Sequence, residues 1–300
     1  MAYKVARCAK PEDLTRIFQE FFIDNPMLPW KLVRSGDNEL GKVVVENTSI
    51  KLALGWNAIT SYRKGINFHL GEKYSGGAWP GISSMKMVRQ DWGSGTVAWP
   101  ADLYFIAEDD YFILTVRNVG NNRCHNYGGG STIGVGKGYA GFDGKWAAAD
   151  WFDNNVGLYG IFLGGKKRHY GGQYVNNWYM DNGSGHWQAA GGGSPELLPP
   201  IAGVWNISSD YGEGVHPPYD VEKFVFKQSA TTVFLPCLMG KRNNGWRPAM
   251  DIPYLRLCSM ALVGPGDIVE YQGQRWRIIP RNNYQDANIG FALLESTPAI

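Results

Sequence analysis

Apolar residues recur at helical spacing in one early segment and at strand spacing almost everywhere after it. From Pro11 to Ile23 the apolar positions are Leu14, Ile17, Phe18, Phe21 and Phe22, which form one stripe on a helix. Pro11 suits a first turn, and Glu12 and Asp13 complement the positive end of the helix dipole. Asp24-Asn25-Pro26 ends the pattern. A helix over about 11–24, docked by its stripe on a sheet, is the expectation.

Strand signals follow at Trp30–Val33, Lys42–Glu46 and Ser49–Trp56. The best hairpin joins Leu103–Ala107 to Tyr111–Arg117 through Glu108-Asp109-Asp110. Both runs are almost continuously apolar, so both faces should be covered. Val156–Leu163 and Lys223–Phe226 read as strands, followed by Thr231–Met239, Tyr254–Val263, Ile268–Tyr271, Gln274–Ile279 and Ile289–Leu294. Gln272-Gly273 reads as a tight turn within a hairpin. The pattern predicts a mainly β protein of antiparallel, sandwich-like sheets with one N-terminal amphipathic helix.

Composition changes the picture in one region. Gly120–Ser194 holds 20 of the 39 glycines, with Trp146, Trp151, Tyr159, Tyr170, Tyr174, Trp178, Tyr179 and Trp187 among them. That is too aromatic for a flexible linker and too glycine-rich for regular sheet. A long ordered loop region is expected, either contacting neighbouring subunits or forming a loop-rich lobe of the core domain. Tyr170, Tyr174, Trp178 and Tyr179 are the candidate subunit contacts. Gly191–Pro195 and Pro199-Pro200 mark a soft internal boundary at 191–200 in an otherwise single 300-residue domain.

Charge and cysteine usage narrow the function classes. The formal net charge is +2, with no basic stripe of the kind nucleic acid requires. Lys166, Lys167 and Arg168 read as a solvated turn. No apolar run reaches the ~18 residues of a membrane span, and no secretory signal core precedes the helix. A soluble protein made in a cytoplasm, binding neither nucleic acid nor membrane directly, is expected. Cys8, Cys124, Cys237 and Cys258 lack paired spacing and read as free thiols.

Candidate chemistry fails on context. Gly136-Lys-Gly-Tyr-Ala-Gly141 has dinucleotide-loop spacing, but Phe142-Asp143-Gly144 follows where a helix should open. Cys124 and His125 are adjacent, an arrangement that points strand side chains apart. Glu108, Asp109 and Asp110 cluster on a turn tip, where carboxylates stay solvated and ionised. A glycosidase instead needs two carboxyls about 5–9 Å apart across a cleft. Asp150–Asn155 offers oxygen ligands without a dedicated calcium-loop pattern. The reading is a non-enzyme with no catalytic residue, cofactor or metal.

The order of these segments resembles virion structural proteins of long-tailed bacteriophages. The resemblance is carried by Pro11-Glu-Asp-Leu14 and Trp30-Lys-Leu-Val33, the aromatic strand pair Leu103–Arg117, Cys124–Gly130, and Gly171-Gly-Gln-Tyr174. It continues through Pro265-Gly266-Asp267, Gly273–Pro280 and Gly290–Leu294, and covers most of the chain. The longer Lys166–Arg168 segment and the proline-rich Pro195–Pro200 stretch depart from it. These motifs specify turns and packing rather than chemistry. The resemblance implies a neck, tail or baseplate component located in the virion, whose partners are copies of itself and other virion proteins. A carbohydrate-binding, host-contact module is the alternative, with Tyr170–Tyr179 as the stacking segment.

Overall fold

A computed structural model describes residues 1–35, 42–59, 65–74, 82–83, 86–88, 99–120, 124–134, 144–149, 151–153, 157–159, 178–181, 188–190, 197–198, 234–242, 246–259, 262–279 and 289–295. The fold is mainly antiparallel β, and its one helix among the described residues lies near the N-terminus. The chain forms two compact units, one of Met1–Ser131 with Lys145–Gly157, the other of Thr132–Gly144 with Leu158–Ile300.

The first unit opens with strand β1 (Ala2–Cys8), which the sequence reading missed, and helix α1 (Asp13–Asp24). Pro11 and Glu12 precede the helix; the Leu14 amide donates to the Pro11 carbonyl. Asn25 ends it by donating its side-chain amide to the Phe21 carbonyl at 2.7 Å. Then come β2 (Lys31–Ser35), β3 (Val43–Asn47), β4 (Leu52–Ile59), β5 (Gly65–Gly71), β6 (Lys73–Tyr74), β7 (Ile82–Ser83) and β8 (Lys86–Val88). Next are β9 (Ala101–Ala107), β10 (Tyr111–Asn118), β11 (Cys124–Gly134), β12 (Gly144–Ala149) and β13 (Trp151–Asp153). Two antiparallel sheets result, ordered β1-β9-β10-β11 and β2-β3-β4-β5-β8.

Aromatic rings join the sheets and the helix. Phe18 of α1 lies 4.9 Å from Phe105 of the first sheet and 5.3 Å from Trp56 of the second, centroid to centroid. Phe112 is the hub, in ring contact with Phe18, Phe21, Phe22, Trp30, Trp56 and Phe105. The expected helix docking and the two-faced burial of the hairpin are therefore observed. On the face of β9–β10 away from these rings, Ile106, Ile113 and Thr115 are also fully buried.

The Gly120–Ser194 expectation needs correction in its first part. Residues 124–134 form a regular strand, with seven successive pairs to β10 from Tyr111↔Gly130 to Arg117↔Cys124. Glycine serves here because the neighbours leave no room for a side chain. A Cβ on Gly128 would lie 2.7 Å from the Phe112 carbonyl oxygen and 2.8 Å from Ile113 Cγ1. One on Gly129 would meet the Trp146 carbonyl at 2.8 Å. Trp146 and Tyr127 are themselves fully buried in this unit, so these two rings belong to the core of the subunit.

The second unit contains β14 (Gly157–Tyr159), β15 (Trp178–Asp181), β16 (Gln188–Ala190), β17 (Leu197–Leu198), β18 (Phe234–Arg242) and β19 (Trp246–Ser259). It ends with β20 (Ile268–Tyr271), β21 (Gln274–Ile279) and β22 (Ile289–Glu295). Its antiparallel sheet runs β18-β19-β22-β21-β20 around Phe234, Cys258, Trp276, Ile278 and Ala292. The expected turn at Gln272-Gly273 is present, both residues at positive φ. Of the 156–163 strand, only Gly157–Tyr159 lies within the described residues, and 223–226 lies outside them. Apart from Leu197–Leu198, the boundary region 191–200 also lies outside them.

Candidate assembly surfaces

The acidic turn of the β9–β10 hairpin was the first candidate for chemistry. Its backbone is held by other parts of the unit, and of the three carboxylates expected to be solvated only Glu108 departs. Trp30 Nε1 donates to the Glu108 carbonyl at 2.8 Å and Asn47 Nδ2 to the Asp109 carbonyl at 2.9 Å. The Ser131 amide donates to the Asp110 carbonyl, also at 2.8 Å. Glu108 is half-buried, and its Oε1 pairs with the N-terminal ammonium at 2.5 Å. Asp109 and Asp110 are exposed, as expected. Partial desolvation, then the Asp109 and Glu108 charges, push the Asp110 carboxyl above its ordinary pKa. Three adjacent acids whose backbones are tied down act as a structural corner.

Other polar groups inside the first unit have partners of the same structural kind. Thr115 Oγ1 donates to Asn126 Oδ1 at 2.5 Å between β10 and β11. Lys145 Nζ donates to the Lys51 carbonyl at 3.0 Å and to Glu72 Oε1 at 3.3 Å. His69 Nε2 lies 3.2 Å from Asn57 Oδ1. In the second unit Arg256 sits 5.3 Å from the Trp276 ring centroid and 3.8 Å from Asp251. Burial raises the Asp251 carboxyl, and Arg256 only partly offsets this.

Cys8 and Cys258 are buried free thiols, in agreement with the reading; the side chains of Cys124 and Cys237 lie outside the described residues. Burial pushes the Cys8 thiol up to about 12, with the nearby Asp13 carboxylate adding to it. Cys124 and His125 are consecutive on β11. The 136–141 glycine loop, Lys166–Arg168, Tyr170 and Tyr174 lie outside the described residues. Trp178 and Tyr179 are placed as backbone on β15, opposite Ala190 and Ala189. Of the segment 150–155, only the backbone of β13 is described.

Exposed apolar side chains concentrate instead at places the sequence did not single out. In the first unit, Val5 is 47% exposed on β1, Ile23 is 74% exposed near the end of α1, and Met27 is 93% exposed just beyond it. An ion pair of 2.5 Å between Lys4 and Asp24 ties β1 to that end of the helix, while Val5 lies on the opposite face of β1 from Lys4. In the second unit Leu262, Ile268 and Tyr271 are exposed at and before β20. The signal for β1 was present as the alternation Tyr3-x-Val5-x-Arg7, but its partner β9 lies about a hundred residues downstream. In comparisons with known proteins, the chain matches no protein-family model and no curated protein.

Proposed function

We propose that this chain is a structural subunit of a tailed bacteriophage virion, at the neck, tail or baseplate, and that its activity is assembly with copies of itself and other virion proteins. The observation that supports assembly is the pair of exposed apolar side chains at the end of α1, Ile23 and Met27, with Val5 also exposed on β1, in a unit that buries its largest rings completely. Clustered apolar side chains on a surface are commonly contact sites. The placement in a phage particle rests on the resemblance in segment order described above. Interfaces of this kind are anchored by aromatic and aliphatic residues inside a polar rim, which suits a chain with 14% aromatic and 19% charged residues.

The test is particle incorporation measured beside thermal unfolding. Trp178→Ala, in the segment assigned to subunit contact, is expected to leave the fold intact and lower incorporation. Phe18→Ala is expected to destabilise the fold itself. Normal incorporation of Trp178→Ala, with unfolding as impaired as that of Phe18→Ala, would place the segment in the subunit core. A purified protein that binds host glycans while missing from particles would favour the carbohydrate-binding alternative.

A further inference from the structure

We infer that β1 is a pairing edge, and that two copies of this chain join through it in an antiparallel, two-fold arrangement centred on Val5. This names a partner within the assembly reading and rests on it. An edge strand presents unpaired backbone groups to any strand that fits, and proteins blunt such edges with short strands, bulges, proline or charged side chains. Three other edge strands among the described residues show these devices. β2 is interrupted by a register shift between Leu32 and Arg34, β8 spans three residues, and β20 spans four. By contrast, β1 keeps an unbroken seven-residue register with β9, from Ala2↔Ala107 to Cys8↔Ala101, and contains no proline; its two charges, Lys4 and Arg7, are each paired with a carboxylate, Asp24 and Asp102. No strand among the described residues pairs with its other side.

The register of self-pairing follows from geometry. Alternate residues of β1 turn their backbone groups toward β9, so only residues of matching parity can face each other across the open edge. Centring the two-fold axis on Lys4 opposes Lys4 to its own copy, a like-charge contact. Centring it on Ala6 sets Val5 opposite Arg7 and drops Ala2 and Tyr3 from the ladder. Centring on Val5 pairs all seven residues, with Val5 on Val5, Lys4 opposite Ala6, and Tyr3 opposite Arg7. Tyr3, Val5 and Arg7 share one face, because strand side chains alternate. On that face the guanidinium of Arg7 is 2.5 Å from Asp102 and largely exposed.

The test uses the full chain in solution. Sedimentation over a dilution series should show a monomer–dimer equilibrium. Val5→Lys, which opposes two ammonium groups at the centre, should weaken it by roughly tenfold or more, whereas Val119→Lys should not. Val5→Cys should form an interchain disulfide on mild oxidation, since directly opposed strand residues have the ~4.5–5.5 Å Cα separation that a disulfide spans. Val119→Cys and the unaltered chain serve as controls and should stay uncrosslinked. A chain that remains monomeric at all concentrations overturns the pairing. So does a dimer in which Val5→Lys and Val119→Lys behave alike. Neither result touches the wider assembly reading, which stands or falls on particle incorporation.

Discussion

Strands β10 and β11 lie side by side in one sheet, yet they fill it by opposite means. β10 is Tyr-Phe-Ile-Leu-Thr-Val-Arg-Asn, and its Phe112 touches six other rings. β11 runs Cys-His-Asn-Tyr-Gly-Gly-Gly-Ser-Thr-Ile-Gly, and its middle contributes almost no side-chain volume. The space beside Gly128 is already occupied by Phe112 and Ile113, and the space beside Gly129 by the Trp146 backbone. A bulky strand and a bare strand are thus complementary halves of one packing solution. Glycine weakens an isolated strand, but it allows close approach where a neighbour fills the volume.

Substitutions can break this complementarity in order of size. Phe112→Ala should cost the most, about 3–5 kcal/mol, because it opens a cavity in the middle of the ring cluster. Urea unfolding of the variant measures it; a loss under about 1 kcal/mol would mean that the rings around it repack freely. Gly128→Ala should cost roughly 1–3 kcal/mol or more by overpacking against backbone. Gly120→Ala should stay within about 0.5 kcal/mol, since nothing lies within 4 Å of the added carbon. Equal losses at the two glycines would refute the account of β11. Thr115→Val tests the polar link between the strands and should cost about 1 kcal/mol, because the buried Asn126 oxygen loses its 2.5 Å donor.

The far edge of the same sheet sharpens the comparison by pH. The Cys8 thiol stays protonated in the fold up to about 12, against an ordinary value of 9.0. Above pH 9 the unfolded chain releases this proton and the folded chain keeps it, so unfolding becomes more favourable. The thiol's contribution is complete below pH 9 and is lost as pH rises toward about 12. Denaturation curves between pH 8 and 11 should therefore show a steeper alkaline loss for the unaltered chain than for Cys8→Ala, and parallel curves would contradict it. Native Cys8 should also resist alkylation at pH 8 and react once the chain is denatured.

The contrast also marks where sequence reasoning reaches and where it stops. α1 and the β9–β10 hairpin were legible because their periodicity and stop signals are local. β11 was misread because Gly128-Gly129-Gly130 signals a turn unless the bulk of Phe112, Ile113 and Trp146 beside it is known. β1 was missed because its strand character depends on β9, far along the chain. Of the acids Glu108–Asp110 only Glu108 departs from the expected exposure, because the N-terminal ammonium, distant in sequence, pairs with it. The stripe was legible too: it holds the buried Leu14, Ile17, Phe18 and Phe21 and leaves out Ile23, which is exposed.

The central claim is that the chain works as a building block of a particle. Quantitative mass spectrometry of density-purified phage particles, calibrated against a known multi-copy virion protein, tests it most directly. The account predicts this chain in the particle at a fixed stoichiometry of several copies, resistant to salt washing. Its absence from washed particles, with the protein recovered free in the lysate, would contradict it.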